Sequence, residues 1–316
     1  MKYKKIIINI LIITAAFLLF ILWNNKNNTN SVLTSAPQNK DLKIYLITKD
    51  KSVEYWYNMN DGALKMANLL GVTYQWEAPE EINTEQQIEI LNRAVDEGAM
   101  AILIASNDPI RLSEPIKNAK EKGVKIIYVD DPAEEEAIIT LATDNYKAGR
   151  VAGENMLLEL ELLGLEEGKV GIVSVSLSNN ATMERERGFR DILNGDGRFT
   201  LINTAYTLGE PLASQTAATQ MIERYPDLVG LFGTNQGSSE GVGNAIKADN
   251  NRIVGIGFDK SKNNLSLLHE GSLKAIVDQN PFSMGYFGMA QAFAALKGFD
   301  TGPPFINTGV SILRER

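Results

Sequence analysis

Residues 101–131 read AILIASNDPIRLSEPIKNAKEKGVKIIYVDD, and this stretch decides the fold class. It opens on an apolar run at 101–105 and turns through Asn107 and Asp108. An amphipathic segment at 115–122 follows, stopped by Gly123, and the stretch closes on a β-branched run at 124–129. A short apolar strand, an amphipathic helix and a second short strand form the repeating unit of a parallel sheet covered by helices. The same unit recurs on both sides of the quoted stretch. Upstream strand candidates lie at 44–48 and 72–76, with another downstream at 138–141; a second series occupies 170–175, 199–204, 228–233, 253–258 and 275–278. Helical periodicity is seen at 85–97, 145–162, 182–193, 212–224 and 282–296. Asn83 or Thr84 stands where a helix N-cap belongs, and Gly98 and Gly123 fall just past helix ends. Two successive series predict an α/β fold of two doubly wound parallel-sheet lobes.

The rest of the chain sets the surroundings. Lys2, Lys4 and Lys5 precede a mostly apolar run at 6–23, which reads as a signal anchor or a signal peptide at 1–23. Either alternative places the remainder outside the cytoplasm. Residues 24–41, rich in Asn, Ser and Thr, then read as a flexible linker. With 31 basic and 39 acidic residues the formal charge is −8, which repels a phosphate backbone and disfavours nucleic acid as a partner. The chain has no cysteine and a single histidine, His269, so a thiolate site, a disulfide framework and a two-histidine metal motif are excluded. No metal or other cofactor is expected. Gly237 to Gly243 matches neither a dinucleotide fingerprint nor a P-loop, and Gly195-Asp196-Gly197 reads as a turn rather than a calcium loop.

In open sheets of this type a ligand binds beyond the carboxyl ends of the strands. The residues there are Tyr55 and Trp56, Asn107 and Asp108, Asp130 and Asp131, Ser176 to Asn180, Asn235 and Gln236, Asp259, and Gln279 with Asn280. They are rich in carboxylates, amides and aromatics and lack a nucleophile paired with a base, so no catalytic residue is assigned. The mixture suits a neutral polyol: planar acceptors and donors meet neighbouring hydroxyls, and aromatic faces cover the C–H face of a sugar ring. Helix capping is the simpler use of any one of these polar residues. For Arg185 the simpler use is a salt bridge to Glu184 or Asp191.

Motifs in order along the chain carry a resemblance. They are YWYNMNDGA at 55–63, AILIA at 101–105, IYVD at 127–130 and ATDNYKAG at 142–149. The others are Asn180-Ala181-Thr182 leading to RERGF at 185–189, Thr234-Asn235, IGFD at 256–259 and AIVDQNP at 275–281. The sequence resembles the ribose/xylose-type periplasmic sugar-binding proteins, that is, periplasmic binding proteins of type I, over about 43–311. The resemblance implies two lobes joined by a three-strand hinge. The implied N-terminal lobe is 42–144 with 281–307, and the C-terminal lobe is 145–280 with 308–316. The crossings are expected near Asp144-Asn145, Asn280-Pro281 and Asn307 to Gly309. Residues 310–313 would return to the second lobe.

The implied ligand-binding set is Tyr55, Trp56, Asp130, Asp131, Arg185, Asn235, Asp259 and Gln279. In it Tyr55 and Trp56 stack on the sugar, Asp130 accepts from hydroxyls and Arg185 donates from the other lobe. Two departures stand out. Asp131 replaces an arginine common in ribose receptors, and 205–211 offers no clear second-lobe aromatic, since Tyr206 lies early. The implied function is an extracytoplasmic monosaccharide receptor, for a pentose such as xylose or ribose, that closes on its ligand. A hexose or an autoinducer-type furanose bound by a signalling co-receptor is the alternative. The implied partner is an ABC permease or, because no cysteine is available for lipidation, a membrane sensor histidine kinase.

Overall fold

The computed structural model describes residues 39–315; the readings at 1–38, including the membrane segment, lie outside the described residues. No helix among the described residues is long and apolar enough to cross a membrane. The first half of the chain runs β1 (Asn39–Ile47), α1 (Glu54–Leu70), β2 (Val72–Glu77), α2 (Thr84–Asp96), β3 (Ala101–Ile104), α3 (Ser113–Glu121), β4 (Lys125–Val129), β5 (Ile139–Ala142) and α4 (Asn145–Leu162). It continues with β6 (Gly168–Ser174), α5 (Asn180–Asp196), β7 (Phe199–Leu201), β8 (Ala205–Tyr206), α6 (Pro211–Arg224), β9 (Leu228–Gly233), α7 (Gln236–Ala248), β10 (Val254–Phe258), α8 (Lys262–His269) and β11 (Ala275–Gln279). The chain closes with α9 (Pro281–Leu296), β12 (Phe305–Asn307) and β13 (Val310–Leu313).

These strands form two sheets. One has the order β12-β5-β4-β3-β1-β2 and is wholly parallel; the other runs β13-β11-β10-β9-β6-β7, with β8 also paired to β6. In the second sheet only β13 runs antiparallel to its neighbour, β11. The chain therefore passes between sheets three times: through α4, through α9, and in the short link from β12 to β13.

Each sheet is buried on both faces, which is why its strands lack polar alternation. Ile44 and Leu46 pack into one apolar cluster with Met59, Leu103 and Met289. Their neighbours Tyr45 and Ile47 pack on the opposite face with Leu91, Ile102 and Ile116. The second lobe repeats this arrangement, with Phe189 and Phe232 in one cluster and Leu231 and Ile246 in the other.

Helix pairs without room for side chains lock each lobe. In the first, a Cβ on Gly62 of α1 would lie 2.0 Å from the carbonyl oxygen of Phe282, and one on Gly285 of α9 would lie 2.0 Å from that of Met59. In the second, a Cβ on Gly149 of α4 would lie 2.0 Å from the carbonyl oxygen of Arg185, and one on Gly188 of α5 would lie 2.1 Å from that of Tyr146. Both contacts are backbone against backbone, where only glycine fits.

Some elements depart from the sequence expectations. Strand β1 begins at Asn39, inside the expected linker, because the Asn39 backbone donates to the carbonyl of Gly71 and its amide side chain to that of Leu70. Helices α1 and α7 are not among the segments that periodicity picks out. Helix α7 contains the glycine-rich stretch 237–243, whose composition hides the helix.

Candidate functional site

Between the lobes lies a cleft of 670 Å³, and all eight candidate residues line it. From the first lobe come Tyr55 and Trp56 in the first turn of α1, and Asp130 and Asp131 directly after β4. From the second come Arg185 on α5, Asn235 at the start of α7, Asp259 after β10 and Gln279 at the end of β11.

Asp130 and Asp259 occupy matching positions in the two lobes. Both adopt left-handed backbone, φ 68° and 64°, and each backbone N–H donates to the next strand, to Leu141 O and Val277 O, at 2.9 Å. Asp tolerates that region better than most side chains, and the turn aims both carboxyls away from the sheet ends. Both carboxylic acids are raised above their ordinary range. For Asp130 burial is the main cause and the Asp131 charge adds to it, partly offset by Lys49, Arg185 and the Tyr55 hydroxyl; the result is about 6. For Asp259 burial again leads, opposed by Arg185 and by the Gln279 amide.

The hydrogen bonds show which polar groups are already engaged. Tyr55 Oη donates to Asp130 Oδ1 at 2.9 Å, and Trp56 Nε1 donates to Asp50 Oδ2 at 3.0 Å. The two rings meet edge to face at 4.8 Å. Arg185 is buried, 4% exposed, and donates through Nε to Asn145 Oδ1 at 2.8 Å and through Nη1 to Thr234 O at 3.0 Å. Its guanidinium lies 3.9 Å over the Phe258 ring and 3.9 Å from Asp259. Glu184 pairs instead with Arg187, and Asp191 accepts from Tyr146. Asp259 caps no helix, since Ser261 caps α8. Asn235 does cap α7, its Oδ1 accepting from Ser238 N at 3.0 Å, which leaves its NH₂ group for the cleft. Gln279 Nε2 donates to Asp259 Oδ1 at 2.9 Å, while its Oε1 is buried without a partner.

Several lining residues escape the sequence reading. Lys49 and Asp50 sit two and three residues after β1, where the strand-end rule points, ahead of the aromatics that drew attention instead. Lys49 pairs with Asp131, so the acidic departure is neutralised from the end of β1, two strands away across β3. Burial lowers the Lys49 ammonium, but Asp131 and Asp130 outweigh it and hold it above its ordinary value. On the opposite wall Leu208, at φ 56°, lines the cleft where an aromatic was sought. Tyr206 does not line it; its hydroxyl bonds to Glu186 at 3.2 Å. Asn107 and Asp108 also turn to structural use, Asn107 on Lys49 O and Asp108 on the backbone of Ile110 and Arg111. Among the described residues no cluster of His, Cys, Asp or Glu could hold a metal ion.

Asp130 gives the site a testable pH response. A carboxylate that accepts ligand hydroxyls must be ionised, so affinity is expected to fall as pH drops through about 6, approaching tenfold per unit below it. The stability of the free protein runs the other way. Folding raises this acid from 3.8 to about 6, so the folded state holds extra proton between those values, and stability declines as pH rises through that window. Tyr55→Phe removes a donor to the charged form and should move the binding midpoint upward. Titrating ligand by calorimetry from pH 4.5 to 8 reads both effects; a flat profile in both proteins would show that Asp130 does not meet the ligand.

The chain is similar to known binding proteins along most of its length. It is 25% identical over 269 residues to the D-ribose/D-allose-binding protein of Pseudomonas aeruginosa, covering 81% of this chain and 82% of that one. Among solved structures, a carbohydrate transporter solute binding protein from Agrobacterium radiobacter, in complex with D-arabinose, is 29% identical with a TM-score of 0.80. That match covers 87% of this chain and 94% of the other. AraP, an arabinose binding protein from Geobacillus stearothermophilus, is 27% identical with a TM-score of 0.78 over 86% of this chain and 96% of its own. The family described as "Periplasmic binding protein domain" matches residues 44–300, and the chain belongs to that family of solute-binding receptors rather than to any class of enzyme.

Proposed function

We propose that this protein is an extracytoplasmic sugar receptor that closes its two lobes on a monosaccharide, with pentoses such as xylose or ribose the first ligands to try. The observation that carries the reading is the placement of Asp130, half-buried, and Asp259, buried, at equivalent strand ends of opposite lobes, across one cleft with Arg185, Asn235 and Gln279. Carboxylates and amides from two sides accept and donate to hydroxyls around a ring, and Trp56 and Tyr55 supply the apolar face. The sugars bound by the similar proteins, ribose, allose and arabinose, support the class.

Ligand contacts from both lobes favour the closed arrangement over the open one. Three links flex to allow it. Asn307 Oδ1 accepts from the Asp144 and Gly309 backbones at 3.2 and 2.9 Å, and Asn280 Nδ2 donates to Thr308 O at 2.8 Å, which holds the links side by side. Away from the hinge, Glu54 of α1 accepts from the backbone of Lys262 at the start of α8, at 3.3 Å, a contact across the lobes. A carboxylate is favoured at a helix N-terminus, and Glu54 lies at two of them. The closed surface is read by a membrane partner, and an ABC permease is the partner we favour.

A thermal-shift screen of residues 39–316 against aldopentoses and hexoses tests the reading, since a ligand specific for the folded state raises the melting temperature in proportion to its affinity. A rise with one sugar and not with its epimers is expected. No rise with any sugar would sink the proposal.

A further inference from the structure

We infer that the cleft prefers a sugar bearing a protonated amine over the neutral parent sugar and rejects sugar acids. The inference rests on the sugar-receptor reading and replaces its pentose preference with a different ligand class. The cations lining the cleft are Lys49 and Arg185; the carboxylates are Asp50, Glu81, Asp130, Asp131, Glu210 and Asp259. With all ionised the lining carries a net charge of −4. Lys49 is committed to Asp131 and Arg185 leans on Asp259. Glu81 and Glu210, one on each lobe, take part in no ion pair among the described residues.

Free donors remain on the amides of Asn179, Asn235 and Gln236 and on the rest of the Arg185 guanidinium, but they are fewer than the oxygens of six carboxylates. The Tyr55 hydroxyl and the Trp56 indole N–H are already given to Asp130 and Asp50, and two of the Arg185 N–H groups go to Asn145 and Thr234. Acceptors are in excess. Gln279, 2% exposed, has its amide nitrogen on Asp259 and its Oε1 buried with no donor in reach. A buried acceptor without a partner is costly, and a ligand that enters the cleft can supply the missing donor. A hydroxyl brings one donor and two acceptor lone pairs, whereas an ammonium brings three donors and no acceptor. An ammonium thus matches both the charge and the hydrogen-bond imbalance. Closure strengthens the match, because removing water from a cleft of one sign raises the cost of its uncompensated charge.

The test compares D-glucosamine and D-galactosamine with D-glucose, D-galactose, their N-acetylated amines, D-glucuronate and the aldopentoses, by thermal shift and calorimetry at pH 7.0, where the amines are mostly protonated. One of the amines is expected to bind at least tenfold more tightly than its neutral parent, its N-acetyl form and every aldopentose. That margin should shrink on going from 20 to 500 mM salt, and glucuronate should not bind. A neutral hexose or an aldopentose that binds as tightly as the better-bound amine would overturn the inference while leaving the sugar-receptor reading standing. A panel in which nothing binds would overturn both.

Discussion

Arg185→Ala is expected to lower the melting temperature by roughly 10 °C and to abolish detectable ligand binding. The side chain is almost fully enclosed and holds four different groups: the Asn145 amide oxygen, the Thr234 carbonyl, the Phe258 ring and the Asp259 carboxylate. Its removal orphans the buried Thr234 carbonyl and the half-buried Asn145 amide oxygen and leaves Asp259 without its opposing charge. Breaking a buried pair on one side costs about 3–5 kcal/mol, and for a chain of this size each kcal/mol moves the melting point by about 2–4 °C. Arg185→Lys keeps the charge but loses the planar fork, so an intermediate loss is expected. Thermal unfolding followed by circular dichroism, with ligand titration on the same samples, measures both. A variant that melts like the parent would show that Arg185 serves the ligand alone.

The second large effect comes from a single methyl group. Gly149→Ala places a carbon 2.0 Å from the Arg185 carbonyl oxygen, and Gly188→Ala places one 2.1 Å from that of Tyr146. Neither neighbour is a flexible side chain, so α4 and α5 must separate. Overpacking of this kind costs about 3 kcal/mol. Because the struck atom belongs to Arg185, Gly149→Ala should weaken ligand binding as well as stability. Gly285→Ala, in the other lobe, should destabilise without moving Arg185. Gly195→Ala is the control: nothing lies within 4 Å of its added carbon, and Ala gains about 0.5–1 kcal/mol in a helix. Chemical denaturation of the four variants gives the order; Gly149→Ala at or above the parent's stability would refute the close-packing argument.

What could be read from the sequence follows from how local each signal is. Asp130, Asp259 and Asn235 stand directly beside strands long enough to recognise, so their positions around a cleft follow from topology alone. Lys49 stands equally close to β1, but its meaning depends on Asp131, 82 residues away, and no local pattern joins the two. Leu208 follows β8, a strand of two residues, too short for any periodicity to show. The α1 and α7 starts were hidden for opposite reasons. Aromatics at 55–57 read as strand-end residues though they form a helical turn, and the glycines of α7 weaken its helical signal while permitting close packing. The burial of Arg185 had no signal at all, since its acceptors come from α4 and from the end of β9.

The passage of the chain between sheets also fixes an order of assembly. A polypeptide made from its amino end completes β1 to β5 early, yet that sheet lacks the helix α9 that packs on Gly62, and its edge strand β12, until residues 281–307 appear. The second sheet, in contrast, is interrupted by no later segment except β13. The half synthesised second can therefore bury most of its core once β11 is made and lacks only the edge strand β13, while the first half waits with the apolar face beside α1 partly uncovered until α9 arrives.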